Sequence, residues 1–338
     1  MKIGVLGLGF MGSTHLQAIA KIPQAELAAV MDVDEKRLSG DLSDIQGNLG
    51  MPGAKMDFSG VKKCRSAEAL FADPDVEAVD ICLPTYLHAP VAIQALRAGK
   101  HVLVEKPMAL DGEMADQMVA EADKQKRILM TAQVVRFIAS YRSLAEIVRC
   151  NRLGPVRSAI FRRRCAVPTW GAWEFDSSKS GGGVFDLLVH DVDMCLHLFG
   201  VPEAISAVGH EDMAQGIDTI LAQFHYPGIG FVAVSGGWHH RGDFPFSMEY
   251  TVIADGGVVE YNSAGRPATL YRADGKSEAL PPNDGDWYQA EIEHFLDACR
   301  TGVKPPLCPP EESATSVKLA RIMLESRKGN GERIACNL

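Results

Sequence analysis

Behind the glycine triplet Gly181-Gly182-Gly183 the chain places Asp186, His190, Asp193 and His197, spaced four, three and four residues apart. On a helix those spacings fall in one stripe, with Leu188, Val192, Cys195, Leu196 and Phe199 on the opposite side. Carboxylates and imidazoles aligned in this way can move a proton, orient a hydroxyl group or hold a metal. An ordinary solvated face would show the same pattern. The glycines favour chemistry, because they leave space for a ligand beside the helix start. No H-E-x-x-H or cysteine motif supports the metal reading, so no metal is expected.

A second stretch, Gly7-Leu8-Gly9-Phe10-Met11-Gly12, follows the apolar run at 3–6 and opens a helical pattern. Strand, glycine turn and helix start form a dinucleotide fingerprint. Gly7 permits the turn, Gly9 lets a pyrophosphate approach the backbone, and Gly12 lets the helix pack on the strand. The phosphates would sit at the helix N-terminus. A further strand-like run at 26–31 ends at Asp32, 20 residues past Gly12, where an acid that accepts from an adenosine ribose is expected. Asp32 would repel a 2′-phosphate, and neither Val33 nor Asp34 neutralises one. NAD is therefore expected over NADP, with Lys36 and Arg37 close enough to temper the preference.

These residues need two domains to position them. At 338 residues the chain exceeds a single ordinary core, and its 46% hydrophobic content can fill two. No apolar run reaches the roughly 20 residues of a membrane span, and the chain enters a strand without a leader-like segment, so a cytoplasmic protein without a membrane partner is expected. The net charge of -9 argues against nucleic acid. The triplet Arg162-Arg163-Arg164 reads as a strand with alternate positions solvated. The eight cysteines show no C-x-x-C pairing and read as reduced and structural.

Strands at 3–6, 26–31, 61–65, 78–83, 101–104 and 128–132 alternate with helices, which predicts a parallel, doubly wound sheet over 1–132. A polar insertion at 40–60 interrupts it. Ligands of such sheets lie beyond the carboxyl ends of the strands, where Asp32, Pro84-Thr85 and Glu105-Lys106 fall. Over 133–338 the strands are denser, and Pro227-Gly228, Asp255-Gly256 and Asp274-Gly275 mark hairpins. That predicts an α+β domain with one large, mainly antiparallel sheet, closed by helices at 287–301 and 311–328.

The glycine turn with His15, the Pro84-Thr-x-x-His88 stretch, Glu105-Lys106-Pro107, the Gly181-Gly-Gly-x-x-Asp186-x-x-x-His190-x-x-Asp193 stretch and Tyr288-x-x-Glu291-x-x-x-Phe295 together resemble the glucose-fructose oxidoreductase / inositol dehydrogenase / MocA family. The resemblance implies an N-terminal Rossmann domain and a C-terminal domain whose open sheet makes a homodimer or homotetramer. It also implies NAD(P)-dependent chemistry on a sugar, cyclitol or related polyol. Lys106 matches the family's catalytic lysine, and Asp186 and His190 its substrate-binding and acid/base pair. Asp193 and Trp173 fall where substrate contacts occur. The cofactor contacts implied are Gly7, Gly9, Phe10, Met11, Gly12 and Asp32 around the turn. Leu83, Pro84, Thr85 and His88 follow after the fourth strand, and Glu105 and Lys106 after the fifth, with Glu105 and Pro107 at the nicotinamide end.

The residue types suit that chemistry. Taking hydride from an alcohol carbon needs a base for the hydroxyl proton, which His190 can be, and a cation beside the developing alkoxide, which Lys106 can supply. Asp186, one helical turn before His190, can fix a substrate hydroxyl or orient the imidazole. With Lys106 and His190 on different domains, the active site is expected where the two meet. An NAD-using glycosidase and a sugar-sensing regulator are the alternatives, the second disfavoured because the Lys/His pair is kept.

Overall fold

The structure, a computed structural model, describes residues 1–45, 47, 53–168, 172–240 and 244–338. Most of the irregular stretch at 48–53 of the expected insertion lies outside the described residues. The chain forms two compact units, Met1–Val134 with Asp286–Ala314, and Val135–Gly285 with Thr315–Leu338. It therefore crosses between units at 134/135, 285/286 and 314/315, where sequence reasoning placed one boundary, at 132/133.

The first unit opens with β1 (Lys2–Leu6), α1 (Phe10–Ile19), β2 (Glu26–Met31), α2 (Glu35–Leu38), β3 (Lys62–Cys64), α3 (Ala67–Phe71) and β4 (Ala78–Ile81). It continues with α4 (His88–Arg97), β5 (His101–Glu105), α5 (Gly112–Gln125) and β6 (Leu129–Ala132). The strand order is β3-β2-β1-β4-β5-β6 and every pair is parallel. Ile3, Val5, Leu6, Val79, Ile81, Val102, Leu103 and Val104 are wholly buried, as strands covered on both faces require. Order reverses between β1 and β4, so the crevice for a ligand opens beyond Leu6 and Ile81.

The second unit holds α6 (Ala139–Arg149), β7 (Val156–Ala166), α7 (Ser177–Ser180) and α8 (Gly183–Phe199). Seven strands follow: β8 (Ala204–Asp212), β9 (Ile217–His225), β10 (Phe231–His240), β11 (Ser247–Ala254), β12 (Gly257–Asn262), β13 (Arg266–Arg272) and β14 (Ser277–Ala279). After α9 (Trp287–Thr301) come α10 (Pro310–Lys328) and β15 (Ile334–Ala335). The sheet order is β14-β13-β12-β11-β7-β10-β9-β8-β15, antiparallel except where β10 runs parallel to β7. The expected hairpins form at all three turn dipeptides. Helix α8 packs across β10, β9 and β7. Helix α9 belongs to the first unit and packs on α1 and β5.

The arginine triplet alternates as its strand requires. Arg162 and Arg164 point outward and pair with Glu249, while Arg163 points inward and makes a two-pronged pair with the buried Asp191.

Candidate active site

The turn after β1 is built as the glycines demand. Gly7 sits at φ +86°, and a Cβ there would lie 2.5 Å from the Cys82 carbonyl oxygen. At Gly12 a Cβ would lie 1.8 Å from the Gly7 carbonyl oxygen, so the helix can pack here only as glycine. Gly9 is different: nothing approaches its Cβ position closer than the Arg37 guanidinium at 3.9 Å. Helix α1 starts behind Gly9 with no side-chain cap and no acid in its first turn. That start, carrying Phe10 and Met11, suits a pyrophosphate, whose charge the helix N-terminus stabilises. The structure thus fits a dinucleotide at the site where one is implied.

Asp32 ends β2 beside this turn. Its two oxygens accept the N–H groups of Leu8 at 2.7 Å and Asp34 at 2.9 Å, which fixes the carboxylate against the glycine loop. Arg37 stands 3.7 Å from Asp32, so the cation flagged in the sequence lies at the ribose corner itself. Lys36 is turned to Asp44, 2.8 Å away.

Beyond β4 and β5 the chain is tied together by His88. Its Nδ1 lies 2.7 Å from the Pro107 carbonyl oxygen and its Nε2 2.7 Å from that of Leu83. Burial pulls the imidazole below its ordinary pKa, against the two carbonyls and Glu105. The ring is buried between two main-chain carbonyl oxygens, one of which accepts its N–H, and the cofactor contact expected of His88 stays a proposal. The ring shapes the Leu83-Pro84-Thr85 wall. Thr85 is buried, and Lys106 is half-buried at the end of β5. One Glu105 oxygen accepts the Lys106 N–H at 2.9 Å.

Behind Glu105 lies a polar group buried in the Rossmann unit. His15 Nδ1 is 2.8 Å from Asp80 Oδ2, and His15 Nε2 is 3.1 Å from Glu105 Oε1. Cys82 Sγ lies 3.5 Å from both His15 and Asp80. Burial pushes the Cys82 thiol far up, away from the thiolate that binds metals, and Nδ1 is given to Asp80, so the group reads as a hydrogen-bond network. From α9 comes Glu291, 0% exposed and with neither oxygen hydrogen-bonded. Glu291 stood in the Tyr288-x-x-Glu291-x-x-x-Phe295 stretch without an assigned role, and Asp80 was missed; as a charged residue inside the apolar run at 78–83, Asp80 carried a signal.

In the second unit Asp186 is half-buried and His190 buried, one turn apart on α8. Trp173 is half-buried in the helical turn Ala172–Phe175. Asp193 does not share the position of Asp186. It is 1% exposed, and Arg136 donates to it from Nε at 2.6 Å and Nη2 at 2.7 Å, with Ser316 adding 2.9 Å. Asp193 is thus half of a buried ion pair, and the substrate contact expected of it stays a proposal. The space expected beside Gly181-Gly182-Gly183 is also filled. Cβ atoms there would meet Phe185 at 2.4 Å, Asp218 at 2.8 Å and Trp238 at 2.3 Å. The triplet serves close packing, and Asp218, unforeseen, accepts the Val184 N–H at the start of α8.

A cavity of about 650 Å³ in the first unit is lined by Met1, Glu77, Lys100, His101, Arg127 and Arg300 among others. Met1, Glu77 and His101 mark the amino ends of β1, β4 and β5, the opposite end of the sheet from Gly7 and Lys106, so this cavity is not where the cofactor chemistry is placed.

A doubly wound sheet with this turn, an acid at the end of β2 and a lysine at the end of β5 defines a nicotinamide-dependent oxidoreductase. Residues 1–133 match the oxidoreductase family with an NAD-binding Rossmann fold, GFO/IDH/MocA, and residues 141–260 match the GFO/IDH/MocA C-terminal domain. The chain belongs to this family and is an NAD(P)-dependent oxidoreductase acting on CH–OH groups. It is 32% identical to a myo-inositol 2-dehydrogenase of Thermotoga maritima over 97% of both chains. It is 28% identical to a D-xylose 1-dehydrogenase (NADP(+)) of Haloferax volcanii, over 96% of this chain and 97% of that one. A solved levoglucosan dehydrogenase in complex with NADH and levoglucosan shares the fold, with TM-score 0.83 at 19% identity and full coverage of both chains. No helix among the described residues is long and apolar enough to cross a membrane.

Proposed function

We propose that the protein oxidises a secondary hydroxyl of a cyclitol or closely related sugar, using NAD. The observation that carries this reading is Lys106, held at the carboxyl end of β5 by the Glu105 bond to its own N–H. The likeness to the myo-inositol 2-dehydrogenase supports the substrate class. NAD, when bound, would supply the acceptor for the hydride leaving the alcohol carbon. Lys106 stabilises the developing alkoxide by charge, and His190 takes the hydroxyl proton. Asp186 fixes a neighbouring hydroxyl or orients the imidazole. Gly9 and the start of α1 hold the phosphates, and Asp32 accepts the ribose hydroxyls.

The deciding experiment is a screen of cyclitols, aldoses and ketoses with both cofactors, followed by nicotinamide absorbance. Turnover of inositols or aldoses with stoichiometric reduced cofactor is expected, and net hydrolysis of a glycoside without it would overturn the reading. Asp32 gives the cofactor prediction: NAD should bind more tightly than NADP, and Asp32→Ala should erase the difference by losing the acceptor and exposing Arg37 to a 2′-phosphate. Tighter NADP binding, unmoved by Asp32→Ala, would sink the NAD assignment.

A further inference from the structure

His15 is fully buried; its Nδ1 is hydrogen-bonded to Asp80 at 2.8 Å, while its Nε2 lies 3.1 Å from a Glu105 oxygen, within ion-pair distance but without hydrogen-bond geometry. A neutral imidazole that gives its one N–H to Asp80 would leave the Nε2 lone pair 3.1 Å from the Glu105 oxygen, whereas an imidazolium sets its positive charge between the two carboxylates. Glu105 spends its second oxygen on the Lys106 N–H. A chain of contacts therefore runs from Asp80 on β4, through His15 on α1, to the backbone that carries Lys106.

We propose that His15 is a positioning residue for the reaction: as an imidazolium clasped between Asp80 and Glu105, it orients Glu105 and through it the Lys106 main chain. The inference rests on the role given above to Lys106. It also explains why a histidine stands in the helix that opens the cofactor turn, since one side chain then couples the phosphate-binding end of α1 to the end of β5. Burial alone would lower the ring's pKa, but the adjacent Asp80 carboxylate outweighs it and raises it well above the ordinary value. Glu105 shifts the complementary way: burial would raise it, yet His15 and Lys106 hold it below the carboxylate range. The other groups facing the ring are Tyr288, its ring centroid 5.8 Å away, and Glu291. Both come from α9, and burial raises the pKa of both, with the His15 charge opposing it at Glu291.

The test needs no substrate, so its failure is separable from failure of the dehydrogenase reading. In protein labelled with ¹⁵N-histidine, both His15 ring nitrogens should show the imidazolium signature from pH 6 to 8; a neutral tautomer there overturns the proposal. In His15→Gln, exchange of the Lys106 amide should speed by roughly tenfold or more while amides of β1 and β4 stay protected. An unchanged Lys106 amide, or uniform loss of protection, overturns the positioning role. Should His15→Gln fail to fold, Asp80→Asn serves: the ring should then titrate at lower pH and the Lys106 amide should exchange faster, and absence of either change counts against the proposal. With a substrate in hand, NADH affinity by fluorescence should hold in the folded variant while kcat falls.

Discussion

A lysine at a strand end and a histidine on a helix are common, and only their work on one reaction separates them from ordinary surface and core residues. Lys106→Ala and His190→Ala are each expected to lower kcat by about 10²–10⁴ while NAD affinity changes little, as loss of charge stabilisation or of a base predicts. Under the proposed mechanism both act on one transition state, so the double variant should lose much less than the product of the single losses. Normal saturated turnover in the His190 variant would remove it from the mechanism, and weakened NAD binding with normal turnover would reduce Lys106 to a cofactor anchor. Glu291 offers a prediction of a different kind. Burial raises its pKa well above the ordinary value, with the His15 charge acting in the opposite direction. The unfolded chain loses this proton near pH 4.3, whereas the folded chain keeps it to higher pH. The folded state therefore binds the extra proton, and stability falls as pH rises from that point to the folded pKa. Below pH 4.3 both states are protonated and the effect vanishes. Glu291→Gln removes the liability at nearly constant volume, so its stability relative to the parent should grow between pH 5 and pH 8, by at most about 1.4 kcal/mol per pH unit. Thermal melts at several pH values read this directly, and a pH-independent difference would show that Glu291 is ionised in the folded protein.

At the scale of elements, helix α8 shows what spacing can and cannot say. The stripe of Asp186, His190 and Asp193 was legible from the 3.6-residue period, but period alone does not say what lies opposite each residue. Arg136 is 57 residues away in sequence and turns Asp193 into half of a buried ion pair. The same limit hid Asp191 behind Arg163, and it hid the return of α9 to the first unit, because pairing across long separations leaves no local trace. The parallel strands, the glycine turn and Asp32 were legible, since each rests on burial pattern or backbone sterics within about thirty residues. Removing one partner of a buried pair strands the other charge. Asp193→Ala should accordingly destabilise the protein by about 3–5 kcal/mol, read from the denaturant midpoint. A fully stable Asp193→Ala protein with a raised KM would place Asp193 at the substrate site.

For the whole molecule, the nine-stranded sheet poses a question of covering. Helix α8 lies on one face, and the outward-pointing residues of the strands form the other. Val208 stands opposite Leu221, and they are 51% and 55% exposed. Phe231 and Ile253 flank Ser158 from the two sides, Val258 follows Ile253, and Tyr271 follows Val258. Ile160 lies in the next row, between Ala233 and Thr251. The charges in the row beyond, Arg162 and Glu249, pair with each other. Val208 and Leu221 share the row of Ser235, Arg162 and Glu249, so the exposed apolar residues of this face fall in two clusters. The homodimer or homotetramer that the family resemblance implies would cover such a face, since a broad sheet can meet its two-fold mate over the area, on the order of 1,200–2,000 Å², that stable pairs bury. Leu221→Glu should then convert the oligomer to monomers in light scattering while leaving the thermal stability of the isolated chain close to the parent's, since the side chain already faces outward within one chain. A monomeric parent protein, or an oligomer untouched by Leu221→Glu, would place the contact elsewhere. The sheet face makes the sharper test because its residues carry no part of the proposed chemistry, so loss of assembly there would report on covering alone.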